Sequence, residues 1–485
     1  MITYQDLLAT GNSDLERAEF VRKVIRTHMT SDLYKTAKVA DDYMRCQNTT
    51  IMNYQKVITL VTGEQVADKY SANHRSAMNF FKIFVTQLCQ YLLGNGATWK
   101  SDDVKKRLGA DFDSRLQEGT KSAMRGAVSF LFFNLDHVEV FSVYDRRKGC
   151  FAPLYDEENG GLSAGVRYWQ IDTSKPLRAT LYEMDGYTEL LYDGKNKPSS
   201  DKWTPIKNGI YMTPKRPYIL RVRTSEIDGT EIYAGENYPA FPIVPLYANP
   251  EQQSEITGLQ YKIDAYDLIQ NGFEDDLDNA QLYWIIKGAG GMDDKELTQF
   301  LDRLRTVKAA APAEGQEVAP VEVNIPYEAR ERLLDRLEQR LYKDAMIMNP
   351  ENLASGAATA TQILAAYTPQ NNKADDLEYC ILDCIRGLLR VAGLPDEAPT
   401  FTRSMIVNAQ EEVTTVVAAA SYLSQEYVTT KILTVLGDGD KAEEVLQQMD
   451  ADDQNRMLGD DEDGDTLPEP RNGPPGVAGA EDGQE

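Results

Sequence analysis

The chain has 485 residues, 42% of them hydrophobic and 26% charged, with a formal net charge of −25. That length allows a sizeable core in about three domains, and the composition is that of a globular protein. The charge argues against an exposed nucleic-acid grip, which would need a basic stripe, although part of it is local: from Asp450 onward twelve acidic residues are set against Arg456 and Arg471.

Residues 1–135 read as helices. LERAEFVRKVIRTHM sets Phe20, Val24 and Ile25 on one stripe. SAMNFFKIFVTQLCQYLLG sets Phe80, Ile83, Phe84, Leu88, Tyr91 and Leu92 at steps of three and four, before Gly94 and Gly96 stop it. From Val138 the apolar period changes to two, in VEVFSVYD, GVRYWQID, RATLYEM, YTELLYD, YILRVRT and TEIYAG. Asp185-Gly186 and Asp228-Gly229 separate consecutive runs as hairpin turns do, so 138–240 is predicted to be antiparallel sheet. After FPIVPLYANP the helical period returns, with Leu259, Ile263, Tyr266, Phe273 and Leu277 in register over 252–282. A helix filling that span is a rod of roughly 40 Å. An insert at 283–326 holds one short helix, a Pro/Ala/Gly turn and one strand. A second rod over 327–346 follows, with Leu333, Leu337, Leu341 and Ala345 at steps of four. The polar loop NPENLASGAATAT leads to a third helical stretch interrupted by Pro369, and 400–449 adds one or two helices. The acidic, Gly/Pro-rich end lacks the apolar surface to fold alone. The fold class is α+β, mainly α.

Five cysteines make neither a metal nor a disulfide framework. Cys380 and Cys384, four apart on one helical face, read as small buried side chains in a reducing cytoplasm. MITYQDLLATGNSDLERAEF carries acids where a signal peptide needs an apolar core. The longest apolar run, VTTVVAAASYL, falls far short of the ~20 residues that span a bilayer, so a soluble protein with no membrane partner is expected.

The motifs that suggest chemistry fail on context. Gly161-Leu162-Ser163-Ala164-Gly165 matches the nucleophile elbow, but DEENG rather than a strand precedes it and a β-like run follows. His28, His74 and His137 all lie upstream of it, against the Ser, acid, His order of α/β-hydrolases. Gly119-Thr120-Lys121-Ser122 lacks the full phosphate-loop spacing, and Gly288-Ala289-Gly290-Gly291 follows a helix, so both read as turns. Asp275, Asp276 and Asp278 at helical spacing read as a solvated face, and His74 as a cap or surface residue. No acid, base and nucleophile converge, so no catalytic residue, metal or cofactor is expected.

In this order the elements resemble the tailed-bacteriophage portal (head-to-tail connector) proteins, over roughly residues 40–400. NHRSAMNFFKIFVTQLCQYLLGNGATW is similar to the family's Asn-rich start, apolar helix and Y-L-x-G close. Gly126-Ala127, an apolar run and Val143-Tyr144-Asp145 resemble its G-x-A and v-y-D strands. FPIVPLYANPEQQSEITGLQYKIDAYDLIQN resembles its passage into the stem, and Ala354-Ser355-Gly356-Ala357-Ala358 the S-G-x-A that ends its tunnel loop. Two departures stand out: Thr359 replaces a common lysine, and Pro369 breaks what is often a longer helix.

The resemblance implies a portal-type architecture. Its parts are a wing over 1–251 (helical 1–135, antiparallel β 138–240), stem helices at 252–282 and 327–346, and a clip at 283–326. A tunnel loop at 347–358, a kinked helix joining wing and crown at 359–399, a crown at 400–450 and a disordered acidic tail at 451–485 complete it. It also implies a dodecameric ring at one capsid vertex of the virion, assembled in the host cytoplasm. Double-stranded DNA would pass the ring during packaging, retention and ejection. Implied partners are the terminase motor, head-tail connector or adaptor proteins, and major capsid and scaffolding proteins. Asn349, Glu351, Asn352, Ser355 and Gly356 are expected to line the channel, where acids and amides offer sliding phosphates repulsion or weak hydrogen bonds instead of ion pairs. Two other readings stay open: a phage or plasmid nucleic-acid-processing enzyme, and a helical interaction protein that forms no ring.

Overall fold

Polar caps start the first helices. Thr3 with Asp6 and Ser13 with Glu16 form reciprocal capping boxes at the heads of α1 (Tyr4–Leu8) and α2 (Asp14–Thr30), occupying N–H groups that a helix start leaves unpaired. The computed structural model describes residues 2–11, 13–59, 63–68, 71–192, 202–207, 209–224, 231–279, 284–287, 295, 299–300, 317–320, 326–353, 360–404 and 409–459. Residues 1–357 and 364–405 make one compact unit, and residues 358–363 with 406–485 a second.

In the first unit, α3 (Asp32–Met44), α4 (Thr49–Met52), α5 (Phe80–Leu93), α6 (Asp102–Leu108) and α7 (Phe112–Gly126) follow α2. Short strands β1 (Val57–Thr59), β2 (Gln65–Ala67) and β3 (Ala97–Thr98) interrupt the helices expected over 1–135, and β4 (Val128–Asn134) begins well before Val138. Six successive buried residues in β4 explain the misreading. A strand covered on both faces shows no alternation.

The strands β5 (His137–Ser142), β6 (Cys150–Tyr155), β7 (Leu162–Trp169), β8 (Leu177–Glu183), β9 (Gly186–Tyr192), β10 (Thr204–Lys207) and β11 (Ile210–Met212) join β4. After β12 (Ile219–Thr224) and β13 (Glu231–Glu236), which form a separate antiparallel ribbon, β14 (Ile243–Tyr247) completes a nine-stranded sheet in the order β10-β11-β9-β8-β7-β6-β5-β4-β14. Its pairings are antiparallel apart from one parallel bridge, Ser142 to Cys150. The expected hairpin at Asp185 forms: Glu183 pairs with Gly186, whose φ of 140° and closeness to the Arg216 carbonyl leave no room for a side chain. The Asp228-Gly229 turn lies outside the described residues.

Alternation gives the sheet two apolar faces. Val21, Val24 and Ile25 of α2 belong to one core cluster with Leu154, Val166, Leu181 and Tyr192. The opposite face is aromatic, with Phe141 within 5.7 Å of the Phe132, Phe151 and Tyr182 ring centres.

Helices α8 (Gln260–Asn279) and α9 (Tyr327–Ala345) run antiparallel: Lys262 near the start of α8 pairs with Asp344 near the end of α9, and Phe273 meets Tyr327 at 5.7 Å. The described strands between them, β15 (Trp284–Lys287) and β16 (Glu317–Pro320), pair antiparallel. The buried seam of α9 is Leu334, Leu341 and Ala345, whereas Leu333 is exposed, one position off the stripe read from the sequence. Helix α10 (Ala360–Ala392) continues through Pro369 without the expected interruption. A proline removes only its own N–H bond and crowds one carbonyl, which can bend a long helix without ending it. Gly387 brings α10 down onto Val244 of β14, where an added Cβ would lie 2.6 Å from a methyl.

The second unit contains α11 (Ala409–Ala419), α12 (Gln425–Leu436) and α13 (Ala442–Gly459). Ser424 caps α12, and Gly437, with φ 89°, ends it. Residues 460–485 lie outside the described part, and with them most of the predicted acidic tail. No helix among the described residues is long and apolar enough to cross a membrane.

Candidate functional site

The loop after α9 does not begin freely. Ile347, Met348 and Asn349 are buried. The Met348 carbonyl accepts from Gln87 Nε2 at 2.9 Å, and its N–H donates to Gln370 Oε1 at 2.9 Å. Lys373 of α10 donates to the Ala345 carbonyl at 2.8 Å. Asn349, expected at the surface of a channel, instead turns its Oδ1 back to accept from the Glu351 N–H at 3.0 Å, capping the 3₁₀ turn Pro350–Leu353. Its side chain is committed to the fold. Glu351 is exposed on that turn. Asn352 sits on the same turn by its main chain, while its side chain, Ser355 and Gly356 lie outside the described residues.

Glu351 stands in an acidic field. Burial, then Glu351 and Asp335, raise the carboxyl pKa of Glu338 on α9. Burial and the carboxylates of Glu338 and Glu351 likewise push up the Tyr342 hydroxyl. Among the described residues none of Asp335, Glu338 and Glu351 has an ion-pair partner. Carboxyl groups converging without a cation give the start of the loop a negative potential, which disfavours anions. Asp335 and Glu338 were not singled out from the sequence. Their signal was a run of like charges along one side of α9.

A second constellation fixes α8 beneath this region. Asp264, Asp267, Asn271 and Asp275 fall at successive steps of three and four on one helical face, and all are buried. Asp264 accepts from the Tyr43 hydroxyl and from Thr50 Oγ1. Asp267 accepts from Asn48 Nδ2 at 2.5 Å and the Met78 N–H at 2.9 Å. Asn271 accepts from the Ser76 N–H and donates to the Ser76 carbonyl, as an added strand would. Asp275 accepts from the His74 N–H and ring Nδ1 and from Lys56, each at 2.7 Å. The ladder ties residues 43–56 and 74–78 to one side of α8.

Its rungs differ in charge. Asp267 has no cation beside it, and burial lifts its carboxyl pKa to about 6. For Asp275 burial acts in the same direction, but hydrogen bonds from Lys56 and His74 together hold the carboxyl below its ordinary value. The solvated face expected at Asp275, Asp276 and Asp278 is corrected at Asp275, which is interior; Asp276 and Asp278 do face solvent, Asp276 pairing with Arg330 at 2.6 Å and Asp278 lying 3.3 Å from His74 Nε2. His74 bridges acids, where a cap or surface role was expected. Buried carboxylates persist only with such partners.

The other motifs take structural places. Gly165 of the elbow-like string lies in β7 against Phe151, where an added Cβ would fall 2.1 Å from the ring. Gly119–Ser122 is not the expected turn but lies inside α7: Gly119 fits against Leu131, and Ser122 shares a 2.7 Å hydrogen bond with Ser142. The four residues 288–291 lie outside the described part. His28 is buried beside Tyr168, and burial lowers its pKa to about 4. Cys384 is buried and Cys380 half-buried, and neither is in a disulfide.

With this geometry in hand, comparison with known proteins is specific. A portal protein of Bacillus phage SPP1 is 25% identical over 487 aligned positions, covering 92% of this chain and 89% of the relative. A portal protein of Clostridium phage phiCD119 is 26% identical over 185 positions, 36% of this chain and 41% of the relative. A solved structure described as the neck of native GTA particle computed with C12 symmetry superposes with a TM-score of 0.37 at 12% identity, covering 73% of this chain and 89% of that one. The family model "Phage portal protein, SPP1 Gp6-like" matches residues 22–457, and the chain belongs to that family of phage portal proteins.

Proposed function

We propose that copies of this portal protein close into a dodecameric ring at one capsid vertex of the virion, around a channel that passes double-stranded DNA. In this reading α8 and α9 are the stem, the segment between them is the clip facing the terminase motor and later the head-tail connector, and the second unit is the crown. The turn at Glu351 opens the tunnel loop. The protein is structural; the ring positions and guides, and the motor supplies the work.

The observation that carries the reading is the uncompensated acidic field of Glu351 and Glu338 at the start of the loop. Duplex DNA condenses counterions, and each lysine or arginine that neutralises a phosphate adds salt-dependent attraction, with a slope near −0.9. A conduit gains from the opposite arrangement. Loop anchorage by Gln87, Gln370 and Lys373 would keep the acids in place while the polymer moves past them.

Native mass spectrometry of the purified protein tests the assembly. Closed rings at multiples of the 54.4 kDa subunit are expected, and a protein that stays monomeric at micromolar concentration would refute the ring.

A further inference from the structure

Helix α9 carries its charge in two rails. Arg332, Arg336 and Arg340 follow one another at i, i+4 and i+8, and all three are exposed. Glu331 and Asp335, also exposed, run beside them at i and i+4. Within each rail the neighbours at i+4 carry like charges, which repel along the helix, whereas an isolated helix gains from alternating signs at that spacing. Adjacent positions such as Asp335 and Arg336 point about 100° apart, so pairing between the rails within one helix is confined to the i, i+3 step Arg332–Asp335, where no ion pair forms. Among the described residues, Arg336, Arg340, Glu331 and Asp335 have no ion-pair partner, and Arg332 has only the exposed Glu328 at 3.5 Å. Other charges on the helix are used internally: Arg330 holds Asp276 and Asp344 holds Lys262.

The geometry points to a second copy of this protein as the missing counter-charge: the rail Arg332–Arg336 of one subunit docks along Glu331–Asp335 of the next. The inference rests on the ring proposed above and names the contact that would set its register. A closed ring is built from heterologous contacts, which need two different, complementary patches on each copy. One helix supplies both. Rotation about a ring axis leaves every atom at its own height, so for helices running along that axis the rails can meet only if they are level. They are offset by one residue, about 1.5 Å. The acidic run continues one turn further to Glu338, whose carboxyl feels the charge of Glu351 at the start of the loop.

Complementary variants test this. An all-acidic variant carries Arg332→Glu and Arg336→Glu, so that both rails are negative; an all-basic variant carries Glu331→Lys and Asp335→Lys, so that both are positive. Each alone should need at least about tenfold more protein to assemble than the wild type, with an unchanged circular-dichroism melt because these side chains are exposed. Mixed one to one they should form alternating rings, with equal numbers of the two variants by native mass spectrometry. If either variant alone assembled like the wild type, or the mixture failed to restore rings while both variants stayed folded, the docking contact would be wrong although the ring stood. The all-acidic variant assembling normally but binding duplex DNA more weakly would instead assign the arginines to phosphate contact and overturn the inference. A wild-type protein that never forms rings would overturn the ring itself.

Discussion

The buried carboxylate at Asp267 can be weighed by changing it to asparagine. Its pKa is raised from an ordinary 3.8 to about 6 by burial and, to a lesser extent, by the neighbouring Asp264, against the hydrogen bonds from Asn48 and the Met78 N–H, which favour the charged form. A raised carboxyl contributes stability that is fully present below the unfolded pKa and is lost as pH climbs through the folded one. The difference corresponds to roughly 3 kcal/mol at most, and about 2 kcal/mol once solvent screening is allowed for. Asp267→Asn removes the titration but turns an amide N–H toward one of two donors, costing about 1–3 kcal/mol at every pH. The net effect at neutral pH is therefore small, and the information lies in the slope. Denaturant unfolding of both proteins from pH 4 to pH 8, followed by tryptophan fluorescence, should show wild type losing about 2 kcal/mol relative to the variant, most of it between pH 4 and 6.5. A difference flat to within about 0.5 kcal/mol would refute the buried, uncompensated carboxylate.

Asp275→Asn should behave in the opposite sense. Its depressed carboxyl contributes stability present above 3.8 and lost as pH falls through the folded pKa, so the variant should be weaker by about 3 kcal/mol at pH 7 and converge with wild type in acid. Glu351→Lys with Asn352→Lys shifts the charge of each subunit by three towards positive, adding two positive charges and removing one negative. Rings should still form, but in vitro packaging should slow or stall at low salt and recover as salt rises; if three lysines per ring met phosphates, affinity would fall about 40-fold between 50 and 200 mM salt. Normal packaging by that ring at low salt would remove Glu351 from the channel.

Much of the fold was legible because local periodicity and burial agreed. The stripe from Phe80 to Leu92 is a buried face of α5 apart from Ile83, which is exposed, and the Asp185 hairpin forms where two short strands meet a glycine. Local pattern fails where burial is decided by distant partners. Val128–Asn134 is covered on both sides and so carries no period. Asp275 looked solvated because Lys56 and His74 lie about two hundred residues away in sequence. Leu334 rather than Leu333 is the inner residue of α9, a choice made by packing against α8 that a leucine-rich string leaves open. The break between the helices at Pro350–Leu353 was legible, and Glu351 as an exposed acid. The cap made by Asn349 and the acids of α9 beside Glu351 were not, since both depend on how the chain returns on itself.

The most direct measurement is an electron-microscopic reconstruction of the purified, assembled protein. Closed rings are predicted, with Glu351 and Glu338 of every copy facing the central opening and the arginine rail of α9 against its neighbour. Rings in which Glu351 lies on the outer surface would contradict the reading of this turn as the head of a DNA-facing loop, and a field of single subunits would contradict the channel altogether.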